Sequence, residues 1–282
     1  MPNPDLLMPG EPMLLLPSKK AFAEKLMARL EAHKLGSKSV FSATIEDDQD
    51  EEDSYDIQSQ VDQLSGDVSR IAVIPIVGML MRGCAGFESW GFCDFETVSD
   101  AVQEAEDDER IKAIVLVIDS PGGCVNGTEE CADVIRACNK PVLAFSAGLV
   151  CSAAYWLASG ASAIIVSPSS SIGSIGCYIP FYDQTGFYDQ MGVKVDLITS
   201  GAQKGAGYPG TSLSDVQRGS LQDSVNAIRD RFLAGVSLSR AVSPECSDGR
   251  VVAGCDAVDF GLADSVANDL STAVDEFRAL YL

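Results

Sequence analysis

Covalent chemistry is first conceivable in this chain at Gly148-Leu149-Val150-Cys151-Ser152-Ala153-Ala154-Tyr155, where a serine is followed by small residues. Little bulk around the Ser152 hydroxyl allows a substrate carbonyl to approach the backbone closely. A serine opening a helix also stands at the positive end of the helix dipole. The N–H of Ala153 can then point where an oxyanion would form, and the turn Asp119-Ser120-Pro121-Gly122-Gly123 can offer a second donor from Gly123 or Gly122. Taken alone, Ser152 reads more simply as a helix N-cap.

A serine nucleophile needs a base. The chain has one histidine, His33, far in sequence from either glycine-rich turn, so a Ser-His-Asp or Cys-His site and any two-histidine metal site are unsupported. Lys204, in Ser200-Gly201-Ala202-Gln203-Lys204-Gly205-Ala206-Gly207, is the alternative. A lysine is ordinarily a solvated charge with a pKa of about 10.4. It acts as a base near neutral pH only where desolvation disfavours its ammonium form, and a glycine-rich loop against an apolar sheet edge could provide that. Ser174, in Gly173-Ser174-Ile175-Gly176, is a third hydroxyl that could hold the amine and relay a proton; by itself it is equally a turn serine. Cys151 is a weaker nucleophile candidate, since no histidine stands by to activate it. Tyr155, Phe181 and Tyr208 are candidates for pocket walls.

The elements that must position these groups follow from periodicity. Ile71–Gly78 and Ile111–Ile118 are apolar runs, the second nearly continuous in β-branched residues as in a strand buried on both faces. Pro75 pushes the first toward an edge or a bend. Strands are also expected at Pro141–Ser146, Ile164–Val166 and Val193–Thr199. Helices are expected at Phe95–Asp108, from Gly123 through Cys138, at Ser152–Ser159, and over Leu213–Arg240 with Ser212 or Ser214 as cap. Strands alternating with helices argue for βαβ units and a mostly parallel sheet, an α/β fold. The organisation expected is an N-terminal helical segment over 1–41, an acidic linker over 42–67, a main domain over 68–268 and a C-terminal helix over 269–282. The run Glu46-Asp47-Asp48-Gln49-Asp50-Glu51-Glu52-Asp53 repels itself and cannot bury apolar surface.

The chain has 282 residues, 46% of them hydrophobic, enough for one large domain with an appendage. Its net charge of −21 would repel phosphate backbones and anionic lipid, so nucleic acid and membrane surfaces are poor partners. Nine cysteines, an odd number without CxxC spacing, argue against a disulfide framework and a zinc ribbon, and for free thiols in a reducing compartment. No window approaches the roughly 20 apolar residues a membrane span needs. The Met13-Leu14-Leu15-Leu16 run is too short for a signal peptide. A cytoplasmic protein without metal or cofactor is expected.

Together these residues resemble the serine peptidase family that contains bacterial signal peptide peptidase A and the head maturation (prohead) proteases of tailed phages. Asp119-Ser120-Pro121-Gly122-Gly123 is similar to its oxyanion turn. Ser152, Ser174 and Lys204 fall on its nucleophile, its lysine-orienting serine and its base. The segments Gly249-Arg250-Val251-Val252-Ala253-Gly254 and Gly261-Leu262-Ala263-Asp264 are similar to its closing motif. The likeness covers residues 70–266 in order and approximate spacing. Cys151-Ser152-Ala153 and the opening Gly10-Glu11-Pro12-Met13-Leu14-Leu15 favour the phage branch, whereas peptidase A members often carry Ala-Ser-Gly-Gly and an N-terminal anchor.

The resemblance implies a superhelix of βαβ units shared with Clp peptidases and crotonases, and a homo-oligomeric ring. It also implies a Ser152/Lys204 dyad with oxyanion donors on Gly123 and Ala153, Gly122 being the lesser candidate. Protein or peptide substrates follow, capsid or scaffold proteins among them, with the host cytoplasm or prohead as the location of a phage-encoded member. Signal-peptide-peptidase-like degradation in the cytosol, a crotonase-like acyl-CoA enzyme and an inactive assembly scaffold are the rival readings.

Overall fold

A computed structural model of the chain describes residues 70–87 and 90–282. The expected helical segment over 1–41 and the acidic linker over 42–67 lie outside the described residues. The centre is a five-stranded, wholly parallel sheet of β1 (Ile71–Val77), β4 (Ala113–Asp119), β5 (Val142–Ser146), β7 (Ala163–Val166) and β10 (Ser265–Val266), in that order. Pro75 sits in β1, an edge strand, where its missing N–H costs no ladder bond.

β4 shows why the sheet is buried on both sides. Its residues alternate between two cores: Ile114, Leu116 and Ile118 face one, and Ala113, Val115 and Val117 the other. The first core is covered by α1 (Phe95–Asp107), α2 (Thr128–Ala137) and α3 (Ala153–Ser159). The second is closed by α6 (Leu270–Tyr281), which buries Leu270, Ala273, Val274 and Phe277 against it. Burying a side chain such as Phe277 is worth about 1.5–3 kcal/mol, so the terminal helix is an integral layer of the sheet. The α/β class and the mostly parallel sheet are as expected.

A second set of short strands crosses the C-terminal end of β4. β2 (Met79–Met81) pairs with β3 (Phe92–Asp94), and β6 (Leu149–Cys151) pairs with β8 (Ser171–Gly173), which in turn pairs with β9 (Val251–Ala253). The turn after β4 joins the two sets through the bridges Leu80–Gly123 and Ser120–Val150. Asp94 starts α1: one carboxylate oxygen accepts the N–H groups of Glu96 and Thr97, and the other those of Cys84 and Ala85.

The remaining helices are α4 (Thr185–Gln190) and the long α5 (Asp215–Ser237), which starts in a capping box between Ser214 and Gln217. α5 is seated by Phe232 and Val236. Phe232 stacks on Trp156 of α3 with ring centroids 4.6 Å apart. The strand expected at Val193–Thr199 is absent. Those residues lie along no sheet edge, and Ile198 is 99% exposed, so nothing supplies the ladder that an extended segment requires. All nine cysteines are free thiols; burial raises Cys93 to about 12 and Cys131 to about 11.

Candidate active site

The end of β6 delivers Ser152 in a strained backbone conformation, φ 53° and ψ −124°, which a non-glycine residue rarely adopts. Such strain costs on the order of 1–3 kcal/mol and persists only where surrounding structure enforces it. Here the enforcement is visible: the Ser152 N–H donates to the Gly173 carbonyl at 2.8 Å, and its carbonyl accepts from Trp156 at 3.0 Å. Ser152 occupies the N-cap position of α3, yet its hydroxyl caps nothing. The simpler sequence alternative, a capping serine, is therefore not realised.

Gly122 and Ser152 pack in close contact. A Cβ on Gly122 would lie 2.7 Å from the Ser152 Cβ and 3.0 Å from the Ala153 nitrogen, and Gly122 itself has φ 101°. Only glycine meets both demands. Its N–H is donated to the buried Ser120 hydroxyl at 3.2 Å, so Gly122 supplies the turn and the close approach, and its N–H is already taken.

Gly123 differs. Leu80 donates to the Gly122 carbonyl and accepts from the Cys124 N–H, both at 2.9 Å. In a parallel bridge the residue between those two groups turns its own N–H to the opposite side, which here is the side of β6 and Ser152. Among the described residues no acceptor takes the N–H of Gly123 or of Ala153. Two idle donors and one idle hydroxyl thus lie on two segments that pack together at Gly122.

Ser174 leaves β8 as Ser152 leaves β6. The parallel register pairs Cys151 with Gly173, so the two serines emerge side by side. Ser174 is, among the described residues, the other non-glycine residue with positive φ, 55°, and its N–H is held by the Arg250 carbonyl at 2.8 Å. The segment expected to close the fold, Gly249–Gly254, does so by pairing β9 with β8 behind this serine.

Lys204 belongs to none of these strands or helices. It lies in a series of turns between α4 and α5 and is exposed, and among the described residues its ammonium makes no hydrogen bond or ion pair. Lys112 and Lys140, by contrast, are bonded to backbone carbonyls. The Lys204 turn is tethered to α5: the Gln217 side-chain amide donates to the Ala202 carbonyl at 2.9 Å, and that of Gln203 to the Val216 carbonyl at 3.3 Å.

Of the expected pocket walls, Tyr155 is fully buried and donates to the Leu262 carbonyl, so it belongs to the core. Burial also raises its pKa. The Cys151 thiol is turned to the Ser171 carbonyl at 3.4 Å and burial pushes it up, the environment of an inert thiol. A pocket of about 300 Å³ lined by Met81, Arg82, Cys124, Asn126, Gly127 and Glu130 opens next to the Gly123 turn. Sequence reasoning missed Leu80, which meets the glycine pair only through the fold, and gave Ser120 no role of its own; the signal available for Ser120 was its nearness to Gly122–Gly123. Among the described residues no group of side chains is arranged to hold a metal ion, and no helix is long and apolar enough to cross a membrane.

The crossing strands of this parallel α/β fold present a strained serine on a segment packed against a turn whose Gly123 N–H is unpaired among the described residues. Residues 96–172 match the family model for Clp protease, and residues 135–280, more than half the chain, match that for peptidase family S49. The chain is 33% identical to capsid assembly protease C of Escherichia phage lambda over 70% of this chain and 46% of that protein. It is 34% identical to head-tail preconnector protein GP5 of Enterobacteria phage P21, over 71% and 41% of the two. Similarity to protease 4 of Salmonella typhi is 32% over 70% and 32%. The chain belongs to peptidase family S49. It spans less than half the length of these relatives.

Proposed function

We propose that the chain is a serine endopeptidase in which Ser152 is the nucleophile and Lys204 the general base. The observation that carries this reading is the uncapping hydroxyl of Ser152, held at positive φ between the unpaired N–H groups of Gly123 and Ala153. The neutral Lys204 amine removes the Ser152 proton, and Ser152 Oγ attacks the scissile carbonyl. The oxyanion is received by Gly123 and Ala153, where preorganised donors act with least reorganisation. The Lys204 ammonium then protonates the leaving amine, and water clears the acyl-enzyme. Ser174 holds the amine and relays its proton.

A lysine becomes a base near neutral pH only when its charged form is desolvated. In the single chain Lys204 is exposed, as are the apolar Tyr182, Phe187 and Ile198 in the same region. We therefore propose that a homo-oligomer covers this surface and completes the dyad. The likeness to a capsid assembly protease makes phage capsid or scaffold proteins the proposed substrates.

The test is incubation of a coat-protein candidate and a set of unstructured peptides with wild type and with Ser152→Ala, fragments being identified by mass spectrometry. Cleavage by wild type alone supports the reading. Equal cleavage by Ser152→Ala rejects it. Cleavage of the peptides with the coat protein left intact would move the substrate assignment to general peptide degradation.

A further inference from the structure

Both proposed oxyanion donors depend on one joint, where the end of β4 meets β6. Ser120 donates its N–H to the Leu149 carbonyl at 2.8 Å, and Cys151 donates to the Ser120 carbonyl at 3.2 Å. A third bond closes the joint through a side chain: the Leu149 N–H donates to the Asp119 carboxylate at 2.9 Å. Gly148 makes room for it, since a Cβ there would overlap Asp119 Oδ1. The Asp119 carbonyl, in turn, accepts the Gly78 N–H at 2.9 Å, which fixes the approach of β2 to the Gly123 turn. Asp119 thus bonds on one side to the strand that orients Gly123 and on the other to the strand that ends at Ser152.

We infer that Asp119 is a positioning residue. Its carboxylate, seated on Gly148, holds the N–H of Gly123 and the Ser152–Ala153 unit at the separation an oxyanion needs. The inference rests on the reading of Ser152 as nucleophile. It gives the carboxylate no proton to move and no contact with substrate. An aspartate is suited to this place because its short side chain accepts a backbone N–H directly from the strand end. Asparagine would present the same acceptor, and alanine none.

Two independent substitutions break the same contact. Asp119→Ala removes the acceptor, while Gly148→Ala pushes the carboxylate off Leu149 without altering its chemistry. Each should lower kcat for a fluorogenic peptide about tenfold or more, as loss of oxyanion alignment does, with KM changed less than twofold. Each should slow the labelling of Ser152 by a fluorophosphonate probe by the same factor, because the phosphonyl oxygen occupies the same donors. Asp119→Asn should restore most of the lost rate. A general folding defect would instead remove a fraction of molecules, leaving the labelling rate of the rest at the wild-type value, so labelling rate and labelled fraction are read together.

Wild-type labelling rates in both alanine variants, or a rise in KM with kcat intact, would overturn the inference. An asparagine variant no better than alanine would also overturn it, since a charge or bulk role would then be at work. Should Asp119→Ala not fold, Gly148→Ala alone decides. If wild type is not labelled, or Ser152→Ala still cleaves, the nucleophile reading fails first and the positioning role falls with it; a dead Ser152→Ala beside fully active Asp119→Ala and Gly148→Ala fails the positioning role alone.

Discussion

Residues 70–175 and residues 176–231 are built on opposite principles. In the first, β4 and β5 contain hardly an exposed atom, and even the strained Ser152 is locked by bonds from neighbouring strands. In the second, no residue is buried across the whole stretch, while Tyr178, Tyr182, Phe187, Met191 and Ile198 are exposed. The proposed dyad straddles the divide: its nucleophile is placed by the core of a single chain, and its base is held by turns and two glutamine amides. Precision in the site therefore has two sources, and they can be broken separately.

The largest effect is expected at the base. Lys204→Ala should cut peptide turnover by roughly a thousandfold or more, the scale at which loss of one member of a catalytic unit is felt. Lys194→Ala, an exposed lysine in the same stretch, should leave it within twofold. Neither should move the melting temperature measurably, because neither ammonium has a bonded partner among the described residues. Equal losses from both substitutions would mean that the region works through its net charge and not through one amine.

Next in size is the seat of α5. Trp156 is 3% exposed and lies flat on Phe232, with ring planes 6° apart. Trp156→Ala should destabilise the chain by about 3–5 kcal/mol, the usual cost of emptying a large buried aromatic site. Ile198→Ala should change stability by less than about 0.5 kcal/mol, although the side chain it removes is also apolar. Urea melts of the two variants measure the contrast between the regions directly; a comparable loss from Ile198→Ala would show that the second region has a core of its own.

A smaller effect separates helix capping from tethering. Gln217 accepts the Ser214 N–H within the capping box and donates to Ala202 beside the Lys204 turn. Gln217→Glu keeps the acceptor and loses the donor. It should leave the melting temperature intact and reduce turnover about three- to tenfold, since positioning of a reacting group is sensitive to small displacements. An unchanged rate would remove the tether from the account.

Much of the first region was legible in the sequence, and little of the second. Ile111–Ile118 announced a buried strand because a nearly continuous apolar, β-branched run suits one, and a serine cap at 212 or 214 announced α5, the structure selecting Ser214. Val193–Thr199 looked like a strand by the same propensity and is not one. Propensity describes a residue's fit to a sheet, and no sheet edge reaches it. At the site, Ser152 and Gly122–Gly123 could be picked out because their demand for small neighbours is written in sequence. The adjacency of Ser152 to Ser174 could not: it is created by the register of β6 on β8, two three-residue strands too short to carry a periodic signal. Nor was the exposure of Lys204 readable, because it depends on which surfaces the fold leaves uncovered.

The smallest contrast lies in two aspartates, one from each region. Burial pushes the Asp94 carboxyl up, but the N–H groups of Glu96, Cys84, Thr97 and Ala85 outweigh it and hold its pKa below the usual range. Asp183 is also depressed, through the Thr185 hydroxyl and N–H and the Ser212 hydroxyl, but it is fully solvated. A carboxyl with a lowered folded pKa stabilises the fold fully above its unfolded value, about 3.9, and loses that contribution as pH falls through the lower folded value. Asp94→Ala should therefore cost about 1–2 kcal/mol at pH 7, as loss of a helix cap does. The difference from wild type should narrow below pH ~4, as the wild-type carboxylate is protonated. Asp183→Ala should show a difference of the same sign but much smaller, because solvent screens a fully exposed carboxylate. Chemical melts from pH 7 down to pH 3 measure both. A pH-independent deficit in Asp94→Ala would assign the loss to packing alone. A pH-dependent deficit in Asp183→Ala as large as that in Asp94→Ala would mean that the exposed region is folded more firmly than its lack of a core allows.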